Sequence, residues 1–243
     1  MPMAGRGSRF ANAGIKMPKP LISVGGKPMF LKALSSIGGI KTKQLYTVII
    51  RKEHDEQYGL GALLKHELPS VNVIVTNEVP VGAVTDAMRA KPILQNDEGI
   101  IILDCDLWFR STSYNKMVED ALNGTSDIAG GVLTFEANNP RYSYAKYGTD
   151  RVVTETAEKR VISDRAITGA YFFSAAQEFI AAAEALLTQP LSETMPEYYI
   201  SPLYNIMIQN NKKVRAAEVN EFASFGTPEE LDVYRNKTSG LAK

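Results

Sequence analysis

Apolar positions follow two different rhythms along the chain. Through about residue 125, short continuous apolar runs alternate with longer polar segments. Residues 45–51 (LYTVIIR), 71–76 (VNVIVT) and 99–104 (GIIILD) read as buried strands, and the last is the kind of run expected of a central parallel strand. Between them, residues 53–68 and 83–94 read as helices, the first weakened by Gly59 and Gly61, the second carrying Pro92 near its end. Residues 114–122 read as a further helix. Strands separated by helices predict right-handed crossovers and a mostly parallel sheet.

The second half changes rhythm. Residues 128–136, 152–157 and 167–174 are strand candidates with no helix of useful length between them, which predicts an antiparallel or mixed portion at the edge of the same sheet. Two helices follow, at 175–187 and 198–209, with Pro202 in the first turns of the second. A last strand is expected at 214–219 and a C-terminal helix at 228–234, with proline at an early position. No stretch rich in Gly, Ser or Pro marks a boundary. The expectation is one domain over 1–243, its first half at about 1–125 and its second at about 126–243.

Composition narrows the partners. Lys+Arg and Asp+Glu both number 27, so the formal charge is zero and gives no global pull toward nucleic acid or an anionic membrane. Any anion site must be local. One cysteine, Cys105, excludes an intramolecular disulfide and reads as a small buried filler. No apolar run reaches the length of a membrane span, about 18 residues, and the first residues lack the pattern of a signal peptide, so a cytoplasmic enzyme is expected. His54 and His66 lie in a polar segment, form no ligand pattern with Cys105, and read as solvated.

Three spaced motifs open the chain: Ala4-Gly5-Arg6-Gly7-Ser8-Arg9, then Pro18-Lys19-Pro20-Leu21, then Gly26-Lys27-Pro28. Glycines let backbone N–H groups approach an anion, and Ser8 adds a hydroxyl. Arg9 and Lys19 are two cations able to face a triphosphate, and the prolines beside Lys19 fix its direction. The loop is neither a Walker loop, since Gly-Lys-Ser/Thr is missing, nor a dinucleotide fingerprint, since Phe10 replaces the third glycine. Later, Ile100-Ile101-Ile102-Leu103-Asp104-Cys105-Asp106 places two carboxylates at the carboxyl end of an apolar strand, the edge where open α/β sheets bind ligands. Carboxylates two apart share one face if the strand continues, and they suit magnesium together with phosphate oxygens and water.

In this order the motifs resemble the sugar nucleotidyltransferases, the nucleoside diphosphate sugar pyrophosphorylases. The resemblance implies a three-layer α/β/α fold with a mixed, mostly parallel sheet. It implies an enzyme joining a nucleoside triphosphate to a phosphorylated small-molecule acceptor, most readily a sugar 1-phosphate, with release of pyrophosphate. Carried over residue by residue, Ala4, Gly5, Gly7 and Ser8 would hold the triphosphate. Arg9 would stabilise the departing pyrophosphate, and Lys19 would contact the phosphates. Asp106 would bind Mg2+ or another divalent cation, with Asp104 auxiliary. Glu78 and Gly82 would meet the base and ribose. Glu158 and Lys159 would bind the acceptor hydroxyls and phosphate, with Thr168 and Gly169 lining the same pocket. The resemblance implies no nucleic-acid partner, and it admits a homo-oligomer.

Two departures stand out. Ser224, in Phe222-Ala223-Ser224-Phe225-Gly226-Thr227, takes the place of the family's second metal-binding aspartate, and a neutral serine is a poor magnesium ligand. Only Met1-Pro2-Met3 precedes the glycine loop, short of the roughly five residues of a strand. A loop without that strand would be poorly anchored. The family's acceptor-side loop aligns loosely with Arg141-Tyr142-Ser143-Tyr144, Ser143 replacing a glycine. Asp104-x-Asp106 also allows a metal-dependent glycosyltransferase using a finished nucleotide sugar, and Ser224 allows an inactive nucleotide-binding regulatory subunit.

Overall fold

The computed structural model describes residues 1–193 and 195–240. A short helix, α1 (Ser8–Asn12), follows the glycine loop, and a tight hairpin of β1 (Ser23–Val24) and β2 (Lys27–Pro28) turns at Gly25 and Gly26 and leads into α2 (Met29–Leu34). Next come β3 (Thr47–Arg51), α3 (Lys52–Tyr58), α4 (Leu60–Glu67), β4 (Asn72–Thr76) and α5 (Ala83–Ala87). The expected helix at 53–68 is split at Gly59, whose φ of 62° turns the backbone left-handed. The expected helix at 83–94 ends early. Pro92 has no N–H to give an α-helical ladder, and Met88–Ile93 tightens to a 3-10 turn.

Two short strands, β5 (Ile100–Leu103) and β6 (Leu107–Arg110), flank the two aspartates before α6 (Thr112–Leu122). The rest is β7 (Gly130–Glu136), β8 (Tyr144–Tyr147), β9 (Val153–Ala157), β10 (Arg165–Phe173), α7 (Ala176–Leu187), α8 (Ser201–Gln209), β11 (Val214–Glu218), β12 (Glu221–Ser224) and α9 (Pro228–Gly240).

The sheet is mixed. Its parallel pair is β11 with β7, while β3 pairs parallel with β4 in a separate two-stranded sheet. Antiparallel pairs gather on β10, which takes β5, β7 and β8 as neighbours, with β9 beyond β8. The apolar run of β5 pairs antiparallel with β10, Leu103 opposite Ala170, rather than serving as the expected parallel strand. The antiparallel portion therefore reaches further inward than the expected edge. A separate ribbon of β6 and β12 sets Ser224 opposite Leu107.

The first three residues are tied to β3. Met3 N–H donates to Ile49 O at 2.9 Å and Ile49 N–H to Met1 O at 3.1 Å. The next residue, Ala4, is held from the other side, its N–H donating to the buried Asp86 carboxylate at 3.0 Å. The glycine loop is thus anchored by three residues of chain and one carboxylate.

Apolar side chains on the two sides of the sheet form two large clusters, one with Phe30, Tyr114 and Phe172, the other with Phe173, Phe179 and Tyr204. A third, smaller cluster joins Phe10, Met29, Phe225 and Leu231, with Trp108 against it. It carries the glycine loop, the hairpin and the C-terminal helix as one block behind Asp106. His54 departs from expectation. It is 7% exposed, the buried residue of a polar helix packed on the sheet, and burial lowers its pKa. His66 is solvated, as expected.

Candidate active site

The site forms where the glycine loop, the end of β5 and the loop after β12 meet. Gly7, at φ 61°, caps α1, and a Cβ there would press on Lys19 Cβ at 3.3 Å. The close approach brings the loop onto Lys19, itself held between the buried Pro18 and Pro20. Lys19 Nζ forms an ion pair with Asp106 Oδ2, and each side chain is 21% exposed. Burial opposes both charges, but the pairing wins: Asp106 lifts the Lys19 pKa above its ordinary value, and Lys19 holds the Asp106 carboxyl below the usual range.

Arg9 reaches the same place. Its Nη1 donates to Gly226 O at 3.5 Å, and Phe225 N–H donates to Asp106 O at 2.7 Å, which docks the loop after β12 on the aspartate. A Cβ on Gly226 would lie 3.3 Å from Asp106 Oδ2 and 3.5 Å from Arg9 Nη1. The space above Gly226 is therefore a cradle between a carboxylate and a guanidinium, and any side chain there would fill it.

Asp104 turns the other way, toward the second half of the chain. Its N–H donates to Gly169 O at 2.9 Å, and a Cβ on Gly169 would meet its Oδ2 at 2.5 Å. Burial, then the neighbouring Asp106, pushes the Asp104 pKa up. The Glu158 charge adds to that push. Glu158 accepts from the hydroxyls of Ser143 and Ser201, the latter at 2.7 Å. Thr168 and Gly169 are buried on β10 beside Asp104. Lys159 has a left-handed backbone, φ 51°, and its Nζ donates to the Tyr199 hydroxyl at 2.5 Å.

Glu78 and Gly82 lie on the turn before α5. Glu78 is exposed and pairs with Arg89 at 2.8 Å. Gly82, at φ 104°, is packed against the chain itself, since a Cβ would sit 2.5 Å from Tyr198 N and O. Tyr198 N–H donates to Val81 O at 2.9 Å and Val84 N–H to Tyr198 O at 3.0 Å, so the turn is stitched to the segment that carries Tyr199. Gly5 and Ser8 are exposed at the loop, and Ala4 is buried beneath it. Cys105 is buried and its thiol is pushed up to about 12, as suits a filler.

Sequence reading missed Asp86, Tyr199, Ser201 and Glu230. Asp86 and Ser201 are buried polar residues, yet nothing in their local sequence marks them. A cavity of about 380 Å³ between β3 and β5 is lined by none of these expected residues and is a packing feature of the sheet.

The chain as a whole has known relatives. The family described as Nucleotidyl transferase matches residues 3–215. The bifunctional protein GlmU of Streptococcus gordonii is 26% identical over 229 residues, covering 90% of this chain and 46% of that protein. GlmU of Carboxydothermus hydrogenoformans is 24% identical over 266 residues, covering 98% and 53%. The chain thus spans about half the length of the curated relatives it matches. Among solved structures, a nucleoside-diphosphate-sugar pyrophosphorylase from Vibrio cholerae superposes with a TM-score of 0.82 at 22% identity, covering 97% of this chain and 98% of that one. The inositol-1-phosphate CTP transferase of T. maritima gives 0.72 at 12%, covering 96% and 91%. These likenesses show a shared fold.

Proposed function

The chain belongs to the nucleotidyl transferase family, and on that premise we propose that it joins a nucleoside triphosphate to a phosphorylated acceptor, releasing pyrophosphate. A sugar 1-phosphate is the proposed acceptor, and the product a nucleotide sugar. The observation that carries this reading is the convergence of Lys19, Arg9 and Asp106 on the cradle above Gly226. Two cations set beside an aspartate at a glycine suit a triphosphate with a divalent cation, as neither charge alone would.

The reaction needs little from a general base, because the attacking phosphate is already ionised near neutral pH. Placement and charge neutralisation do most of the work. In the proposed roles, the glycine loop from Ala4 to Ser8 holds the triphosphate. Arg9 and Lys19 take up negative charge on the pyrophosphate as the bond to the α-phosphorus breaks. Glu78 and Gly82 shape the base side. Glu158, Thr168 and Gly169 orient the acceptor, and Lys159 leaves Tyr199 to hold the acceptor phosphate for in-line attack.

The donor set fits a divalent cation held largely by substrate. Among the described residues, no three His, Cys, Asp or Glu side chains converge as a metal cage. Asp106 already holds a cation, the Lys19 ammonium, in the cradle. One or two carboxylates with phosphate oxygens and waters are the usual magnesium shell. A bound Mg2+ would supply Lewis-acid neutralisation of the phosphates. Asp106 is its proposed anchor and Asp104 a neighbour.

The test is a grid of nucleoside triphosphates against sugar 1-phosphates and other phosphorylated acceptors, with Mg2+, scored by pyrophosphate release. Release that requires one triphosphate and one acceptor together supports the proposal. Binding of triphosphate with no release across the grid would sink it in favour of a regulatory subunit.

A further inference from the structure

One carboxylate in the site has no role so far. Glu230 is the third residue of α9 and closes a reciprocal cap with Thr227: Thr227 N–H donates to Glu230 Oε2 at 3.1 Å, and Glu230 N–H to the Thr227 hydroxyl at 3.3 Å. The cap accounts for one backbone contact and leaves the rest of the cluster unexplained. The Ser224 hydroxyl donates to the same Oε2 at 2.9 Å, the Tyr142 hydroxyl to Oε1 at 3.0 Å, and Arg141 forms an ion pair with Oε1. The Glu230 side chain is only 15% exposed. It also borders the cradle: a Cβ on Gly226 would lie 3.1 Å from Glu230 Oε2, nearer than it would lie to Asp106 or Arg9.

Glu230 Oε2 and Asp106 Oδ2 thus both border the space above Gly226. Ser224, between them in the fold, is neutral and cannot bring a second charge to a cation there. We infer that Glu230 supplies the second carboxylate toward the divalent cation at Asp106, with Arg141 as its counter-ion while Lys19 holds Asp106. The inference rests on the reading of Asp106 as the cation's anchor. When the cation binds, the Lys19 ammonium gives up its place on Asp106 and the Ser224 hydroxyl its place on Glu230 Oε2, while Arg141 stays on Oε1.

The probe is Mn2+ alone, titrated into the intact protein and followed by electron paramagnetic resonance. Glu230→Gln is expected to weaken Mn2+ binding by about tenfold or more, a loss on the scale seen when a metal site loses a supporting carboxylate. Its Tm should fall only in part, because glutamine keeps the cap but loses the Arg141 ion pair, and Mn2+ affinity is compared at a temperature where both proteins are folded. Asp106→Asn should weaken binding too. Adding Ser224→Asp to Glu230→Gln should restore affinity by returning a carboxylate to the same side of the cradle. Wild-type affinity in Glu230→Gln, with binding lost in Asp106→Asn, overturns the inference and leaves Glu230 a helix cap. A loss that Ser224→Asp does not restore overturns it as well. Wild-type affinity in Asp106→Asn overturns the reading of the site itself, and the inference falls with it.

Discussion

Gly82→Ala is the substitution whose consequence can be worked most directly from the structure. The added methyl carbon would sit 2.5 Å from Tyr198 N, 2.5 Å from Tyr198 O and 2.9 Å from Tyr198 C. These are backbone atoms, so no rotamer change relieves the overlap. The φ of 104° adds strain, because residues with a Cβ avoid that region. Holding an alanine there costs about 1–3 kcal/mol. The alternative is to push residues 198–199 away, which gives up the two bonds to Val81 and Val84, each worth about 0.5–1.5 kcal/mol. The protein will take the cheaper mixture, so a loss of about 2–4 kcal/mol is expected. For a chain of this size, that lowers Tm by roughly 4–16 °C. Displacing Tyr198 also moves Tyr199, the partner of Lys159, so KM for the acceptor should rise along with KM for the triphosphate. Gly5→Ala is the control, since a Cβ there meets nothing within 4 Å, and it should leave Tm near wild type. Scanning calorimetry and steady-state kinetics read both effects. A Gly82→Ala protein with the wild-type Tm would refute the reasoning about the stitched turn.

Other substitutions test other parts of the account. Arg9→Ala removes an exposed side chain with one long bond to Gly226, so the fold should persist while turnover falls by roughly 10²-fold or more; unchanged kcat would count against its proposed role. Cys105 should resist thiol reagents at pH 8 in the folded protein and react at once in denaturant, because burial keeps it a neutral thiol; fast native labelling would contradict this. Glu218 is held below its ordinary pKa by its hydrogen bond from Arg151, so its contribution to stability is present above the unfolded carboxyl pKa and is lost as pH falls through the folded value. Denaturant titrations of Glu218→Gln should show a small loss at pH 7, below about 1 kcal/mol for this partly exposed pair, that shrinks as pH is lowered below the unfolded carboxyl pKa; a loss independent of pH would refute the charge-based reading.

The parts of the site that could be read from sequence are those where local pattern fixes direction. Asp106 follows an apolar run and ends up at the strand's carboxyl edge. Lys19 stands between two prolines and points where they aim it. The helices at 114–122 and 175–187 and the strand at 128–136 fall within a few residues of α6, α7 and β7, because each has an apolar period of its own. The parts that could not be read depend on distant packing. Glu230 meets Tyr142 across 88 residues of sequence, and Asp86 meets Ala4 across 82. The strands β6, β8 and β12 have four residues each and mixed polarity, so nothing distinguishes them from loops until their partners are placed. His54 looked solvated because its neighbours are charged, yet it is the residue of α3 that the packing buries.

At the proposed site, two substrates exchange a phosphoanhydride bond. Phosphorus NMR of the wild-type protein with Mg2+, a nucleoside triphosphate and a sugar 1-phosphate watches that bond directly. For one pairing of substrates, the α, β and γ signals should fade together while inorganic pyrophosphate and a sugar-linked diphosphate diester grow in equal amounts. Diphosphate diester consumed rather than formed, with free nucleoside diphosphate appearing when a nucleotide sugar is supplied, would contradict that exchange.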